Sequence, residues 1–346
     1  MIKRLFFGSF VFLCCFARAQ SVDPSNYAST LAPEPMKAVL YRLASDEMEG
    51  RETGQPGQHR AALYIDSLFR SFGLKPSTGP SFLLPFQFAQ ARSKKKGPFA
   101  REKNIHAENV LGYIPGKSRP DEYVFITAHY DHLGVRDGKI YYGADDDGSG
   151  TTALLILANA FSKAYNDGKG PERSVVFLAN AGEEKGLKGS DYYVNHPVFP
   201  LQSVVADLNI DMIGRIDEKH SIDTNYVYVI GSAMLSSGLK EVSEKANNTY
   251  IGLDLDYTFD DPNDANRFYY RSDHYNFAKN NVPVIFYFNG VHEDYHKPSD
   301  TPDKIHYALM AKRAQLVFYT AWELANRKER VVVDKETQQK ERKTDN

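Results

Sequence analysis

From about residue 109 onward, short apolar runs alternate with longer amphipathic stretches. Val124-Phe125-Ile126-Thr127 has the length and β-branched or aromatic content of a buried strand, and so do 174–178, 204–210, 226–230 and 284–288. Between them, 149–164 is rich in Ala and Leu at helical spacing. Residues 187–195 and 233–247 read as shorter helices, and 305–326 as a long closing one. Upstream, 35–74 reads as helical but is interrupted by the polar loop 49–57. Val39, Leu40 and Leu43 share one apolar face before the loop. Ala61, Leu63, Tyr64, Ile65, Leu68 and Phe69 form another after it, stopped at Gly73. Residues 75–107 are mixed, and the basic run 92–96 predicts a solvated hairpin tip or loop.

This alternation predicts an α/β fold: a mixed, largely parallel β-sheet flanked by helices on both faces. One globular domain over 20–327, with an N-terminal helical elaboration, accounts for most of the 346 residues. The charged segment 328–346 is expected to fray.

The first residues add a compartment. Lys3 and Arg4 precede an apolar run over 5–16, and Ala17-Arg18-Ala19 supplies small residues for cleavage after Ala19. This pattern predicts a secretory signal over 1–19 and delivery to the periplasm or the medium. The run is too short to span a bilayer comfortably, and no second apolar run is long enough. Cys14 and Cys15 are the only cysteines. Lipidation at either is disfavoured because bulky residues, Leu13 and Cys14, precede them. A chain without its signal therefore has no disulfide, and any metal in it must be held by His, Asp and Glu. A net charge of -2 gives no field to attract nucleic acid or an anionic membrane. The oligomeric state is not encoded in these patterns.

Acidic and imidazole residues follow four of the strands closely. His129, Asp131 and His132 follow the first, Glu183 and Glu184 the second, Asp211 the third, and His292 to His296 the last. Ligands in open α/β sheets bind outside the carboxyl ends of strands, so these groups should converge. Between the first two lies Gly143-Ala144-Asp145-Asp146-Asp147-Gly148-Ser149-Gly150. Taken alone, it reads as an exposed helix-start loop. Three adjacent carboxylates beside the four strand ends instead call for a cation.

Taken together, His129-x-Asp131, Asp146-Asp147-Gly148-Ser149-Gly150, Glu183-Glu184, Asp211 and Tyr295-His296 resemble the zinc aminopeptidase family with co-catalytic metals, which includes secreted bacterial leucyl aminopeptidases. The segments 43–51, Arg271-Ser272-Asp273-His274 and 297–303 add to the likeness, which runs from about 36 to 326. The resemblance implies two zinc ions per chain and peptide substrates with a free N-terminus. It implies that Asp146 bridges the metals, with His129 and Asp211 on one and Glu184 and His296 on the other. Glu183 would be the general base, and Asp131 would accept the second imidazole N–H of His129. Tyr295 would either hydrogen-bond the oxyanion or simply pack. Arg271 would contact a substrate carbonyl or carboxylate, or form a structural ion pair. Ser272 or Asp273 is expected to cap the helix that follows. Asp260 and Asp261, in an acidic and aromatic stretch, are expected at the pocket rim to hold the cationic substrate terminus. His132 and His292 fall outside the ligand pattern and are expected around the site. Asp145 and Asp147 are expected to shape the loop, and Lys185 to offset the two glutamates. Rival readings are a glutaminyl cyclase-like enzyme with a single zinc, a carboxypeptidase or dipeptidase with similar metals, and a binding module on a decayed peptidase fold.

Overall fold

The computed structural model describes residues 23–91 and 102–335. The signal expected over 1–19, the basic run 92–96 and most of the charged tail lie outside them. Three helices lead in: α1 (Ser25–Ala28), α2 (Pro33–Leu43) and α3 (Pro56–Ser71). The rest of the chain runs β1 (Lys75–Pro76), β2 (Leu83–Ala91), β3 (Glu102–Ile114), β4 (Arg119–His129), β5 (Gly134–Arg136), β6 (Lys139–Tyr141), α4 (Gly150–Asn166), β7 (Arg173–Asn180), α5 (Lys188–Asn195), β8 (Val204–Ile210), β9 (Tyr226–Ile230), α6 (Ser237–Ala246), β10 (Asp254–Asp256), α7 (His274–Ala278), β11 (Val284–Phe288) and α8 (Tyr307–Asn326).

Nine strands form one sheet in the order β1-β3-β7-β4-β8-β11-β9-β10, with β2 also paired to β3. The central strands β7, β4, β8 and β11 are mutually parallel. Antiparallel pairing begins on either side, at β3 with β7 and at β9 with β11. The sheet is thus mixed, with its parallel part concentrated where the chemistry-bearing loops emerge.

Alternation along the strands divides the core in two. Val124, Ile126 and Ala128 of β4 pack toward α4 and α8, while Tyr123 and Phe125 face the aromatic layer with Tyr193 of α5 and Phe277 of α7. Strand β7 repeats this, with Val175, Phe177 and Ala179 on one face and Val176 and Leu178 on the other. Because both faces are covered, central strands read as continuous apolar runs. Two helix starts differ from expectation. The helix expected from 233 begins at Ser237, where the Ser236 side chain accepts the Leu239 N–H at 3.3 Å. The closing helix begins at Tyr307, after a 3-10 turn over Pro302–Lys304.

His274 opens α7 fully buried, stacked on Phe286 and edge-on to Tyr269. Burial disfavours its charged form and holds its pKa down at about 3. The unfolded chain, with the ordinary value near 6.5, takes up a proton first as pH falls. Stability present above pH 6.5 is therefore lost progressively toward pH 3. The His274 contribution to that loss should reach about 2 kcal/mol at pH 5. Denaturant midpoints at pH 7 and pH 5 should differ less in His274→Gln than in the parent. Equal acid sensitivity in both proteins would remove His274 from the account.

Candidate metal centre

The parallel strands deliver the polar residues to one edge. His129 is the last residue of β4, and Asp211 directly follows β8. Glu183 and Glu184 sit in the turn after β7, and His296 in the loop after β11. That turn is held by Lys188 and Lys185 N–H groups on the Gly182 carbonyl, and by Gly186 and Leu187 N–H groups on that of Glu183.

Asp146 is central. Its Oδ1 lies 3.3 Å from His129 Nε2, and its Oδ2 lies 2.9 Å from His296 Nε2 and 3.8 Å from His132 Nδ1. Asp211 Oδ1 is 3.6 Å from His129 Nε2, and Glu184 Oε1 is 2.9 Å from His132 Nδ1 and 3.4 Å from His296 Nε2. Two groups of donor atoms result, His129 with Asp146 and Asp211, and His132 with Asp146 and Glu184, the second also reached by His296. Their atoms face one another without aligned hydrogen bonds. His129 Nε2, both ring nitrogens of His132, Asp146 Oδ2 and Glu184 Oε1 are all buried without a hydrogen-bond partner. Such orphaned groups are costly in a protein interior, and this set of N and O donors fits a divalent cation such as zinc.

The electrostatics agree. Burial works to raise the Asp146 carboxyl, but the His129 and His296 imidazoles outweigh it and hold the group well below the usual range. Glu184 is opposed by burial and by Asp146, yet His132 and His296 hold it at about 2. Burial works to lower the His296 imidazole, but Asp146 and Glu184 raise it to about 10. The imidazoles thus offset the negative charge of these carboxylates, the role a bound cation would take. Glu183 differs. Burial pushes its carboxyl well above the usual range, aided by Asp211, Glu184 and Asp273 and opposed by His129.

Neighbouring residues fix the loop. Asp147 Oδ1 accepts the Gly150 and Met212 N–H groups at 2.9 and 3.0 Å, and its Oδ2 accepts that of His129 at 3.2 Å. Asp145 Oδ1 accepts Ser149 Oγ–H at 2.8 Å and the Gly214 N–H at 2.7 Å, while Oδ2 lies 3.2 Å from His292 Nε2. Asp300, in the segment 297–303, accepts the Asp145 and Asp146 N–H groups at 2.9 and 3.2 Å. Asp145 and Asp147 therefore bind backbone N–H groups, and His292 lies behind the Asp145 carboxylate without a hydrogen bond to it.

Several expectations change. The Asp131 carboxylate is 3.6 Å from His129 Nδ1, whereas its backbone carbonyl is 3.1 Å away. Its side chain instead accepts Thr53 Oγ1–H at 2.6 Å and the Glu183 N–H at 3.2 Å, tying the turn of the glutamates to β4. Asp273 stands at the N-cap of α7 as expected, but its side chain makes no capping hydrogen bond. Ser272 Oγ donates to Asp211 Oδ2 at 2.7 Å and accepts from Asn209 Nδ2 at 2.9 Å, and Asp273 accepts from Ser190. Asp260 is turned inward, with Oδ1 accepting the Gly231 N–H at 2.7 Å and Oδ2 the Ser232 hydroxyl at 3.0 Å. Asp261 is exposed and accepts the Asn263 N–H at 2.8 Å. Both carboxylates are used by their own surroundings rather than by the pocket, because short acidic loops satisfy neighbouring backbone N–H groups locally. Lys185 pairs with Glu52 at 2.7 Å, not with the glutamates beside it.

A pocket opens over the donors, lined by Glu183, Asp211, Met212, Phe268, Phe288 and Tyr295 among others. Arg271 lies at its edge with its guanidinium 4.9 Å from the Phe268 ring centre, and no carboxylate pairs with it among the described residues. Tyr295 stacks on His296 with ring centres 3.9 Å apart. Burial and the charges of Asp146, Asp211 and Glu184 raise its phenol, so it remains a hydrogen-bond donor.

The sequence signature of peptidase family M28 matches residues 109–321, more than half of the chain. The chain belongs to this family. A protein of Arthroderma otae named "Probable leucine aminopeptidase" is 31% identical over 224 residues, 63% of this chain and 57% of its own length. The M28 chain thus spans little more than half of that relative. Its fold is shared with the aminopeptidase from Aneurinibacillus sp. strain AM-1, at a TM-score of 0.69 and 15% identity over 91% of this chain and 98% of that one. The glutaminyl cyclase of Fimbriiglobus ruber also shares it, at 0.62 and 16% over 84% and 95%. Identities this low speak for the fold alone, so the choice between peptidase and cyclase rests on the site.

Proposed function

We propose that this M28 chain is a secreted aminopeptidase that uses two zinc ions and Glu183 as general base. The observation that carries the reading is Asp146, whose two carboxylate oxygens face two separate donor groups. His129 and Asp211 would complete one site and Glu184 and His296 the other. A single-zinc cyclase would need only one of them. Zinc held there would polarise the scissile carbonyl and make water a competent nucleophile at neutral pH.

The remaining chemistry belongs to the chain. Glu183 Oε2 is 4.0 Å from His129 Nε2, beside the donors but without a place among them. Its carboxylate takes the proton of the attacking water and returns it to the leaving amine. Tyr295 O–H donates to the oxygen on which charge develops. Met212, Phe268, Phe286, Phe288 and Val291 give the pocket an apolar wall suited to an apolar first side chain.

A panel of aminoacyl-arylamides tests this. Cleavage should need a free amine, favour Leu, Met and Phe over Lys and Glu, and stop on chelation. Indifference to chelation, or cleavage of blocked substrates at equal rate, would sink the reading. One observation favours a dipeptidase variant: Arg271 is free to receive a peptide carboxylate at the pocket edge. On that variant, Arg271→Met raises KM for dipeptides tenfold or more while leaving arylamides unchanged.

A further inference from the structure

We infer that His132 is a metal ligand, and that it makes the two metal sites unequal. This rests on the two-metal reading above and deepens it.

His132 follows the end of β4 and is fully buried. Its backbone N–H donates to the Arg51 carbonyl at 3.2 Å, fixing where the side chain leaves the chain. The ring lies against Gly143, where a Cβ would come within 2.4 Å of His132 Cγ. Gly143 also has a φ of +52°, so this position admits the ring only as glycine. Nδ1 then points at the two oxygens that His296 Nε2 also meets, Glu184 Oε1 and Asp146 Oδ2. The four separations are 2.9 and 3.8 Å from His132, and 3.4 and 2.9 Å from His296. A tetrahedron of ligands around zinc at 2.0–2.1 Å has edges of about 3.3 Å. The four nitrogen–oxygen separations bracket that length. The contact of His132 with Glu184 is not an aligned hydrogen bond, since Nδ1 and Oε1 are both left without a partner.

The consequence is a division of labour. His132, Asp146 and Glu184 form one mutually close set of donors, and His296 reaches the same two oxygens, so this site draws on four donors. His129, Asp146 and Asp211 offer three and leave a position open, as catalytic sites do. Glu183 lies beside the three-donor site. The four-donor ion should be held tightly, and the three-donor ion should exchange.

The test uses the full chain loaded with Co(II). In the parent, graded chelation should remove one equivalent well before the second. The proton spectrum should show three exchangeable, paramagnetically shifted imidazole N–H signals, from His129, His132 and His296. This count needs no variant and so does not depend on one folding. His132→Gln should show two signals and lose at least tenfold in affinity for the tight equivalent. Two signals in the parent, or two ions released together in parent and variant alike, would overturn the role of His132 and leave the two-metal reading intact. A parent that takes up no cobalt, or only one ion, would overturn both.

Discussion

Glu183→Gln should lower kcat by roughly 10² to 10⁴-fold while the chain keeps its full metal content and a nearly unchanged KM. The amide matches the carboxylate in size and cannot accept the proton. The backbone bond from Glu183 N–H to Asp131 is unaffected, so the turn should hold its place. Metal content distinguishes the two roles open to a carboxylate in this position. If Glu183 were a ligand, the variant would lose an ion along with its activity. The pH profile adds a second readout. Burial and the neighbouring Asp211, Glu184 and Asp273 raise the Glu183 carboxyl, and bound cations oppose that shift. Activity should fall as pH drops through the pKa of Glu183 in the loaded enzyme, because the protonated acid cannot act as base. The residual activity of the variant should lack this limb. Retention of more than a tenth of parental kcat would remove Glu183 from the mechanism.

The sheet and the convergence of the site could be read from sequence because both rest on local pattern. Central strands covered on two faces leave apolar runs, and residues immediately after such runs must emerge at one edge. His129, Glu183, Glu184 and Asp211 were accessible in this way. Roles that depend on contacts between distant segments were not. Ser272 and Asp273 resemble a helix cap in sequence, yet their side chains reach Asp211 and Ser190 across the fold. Asp260 and Asp261 look like a free acidic rim, but sequence does not say that such carboxylates turn onto nearby N–H groups and a hydroxyl. His132 was legible as a residue near the site. Only the fold brings its ring against Glu184 and that of His292 against Asp145. The segments 43–51 and 297–303 carried a family likeness without a physical role. The structure supplies one for each, through Arg51 and Asp300.

Arg51→Met should destabilise the metal-free protein by about 3–5 kcal/mol, the cost of leaving several buried carbonyls without their donor. The Arg51 side chain is 1% exposed and runs beneath the donor groups. Its Nε–H donates to the Tyr130 carbonyl at 2.6 Å, Nη1 to those of Leu43 and Tyr142 at 2.9 and 2.7 Å, and Nη2 to that of Gly143 at 2.9 Å. One guanidinium therefore joins the end of α2, the end of β4 and the start of the Asp146 loop. Burial opposes its charge, but Asp131, Asp147, Asp146 and Asp300 favour it. It is a fixed cation within an otherwise acidic centre. The preceding residue shows how closely the turn is fitted, since a Cβ at Gly50 would lie 2.4 Å from the Tyr141 carbonyl oxygen. Methionine would preserve much of the volume but take the donor from four carbonyls, that of Gly143 keeping the Gly148 N–H. Lysine would keep the charge without the planar fork that reaches all four. Against a total stability of about 5–15 kcal/mol for a typical domain, the methionine variant should unfold at a much lower denaturant concentration. Arg51→Lys should recover only part of the loss. Metal affinity should fall in both variants, because the Gly143 carbonyl anchors the loop that carries Asp146. An unfolding free energy for Arg51→Met within about 0.5 kcal/mol of the parent, with chelator present throughout, would show that the carbonyls find other partners and that Arg51 does not hold the loop.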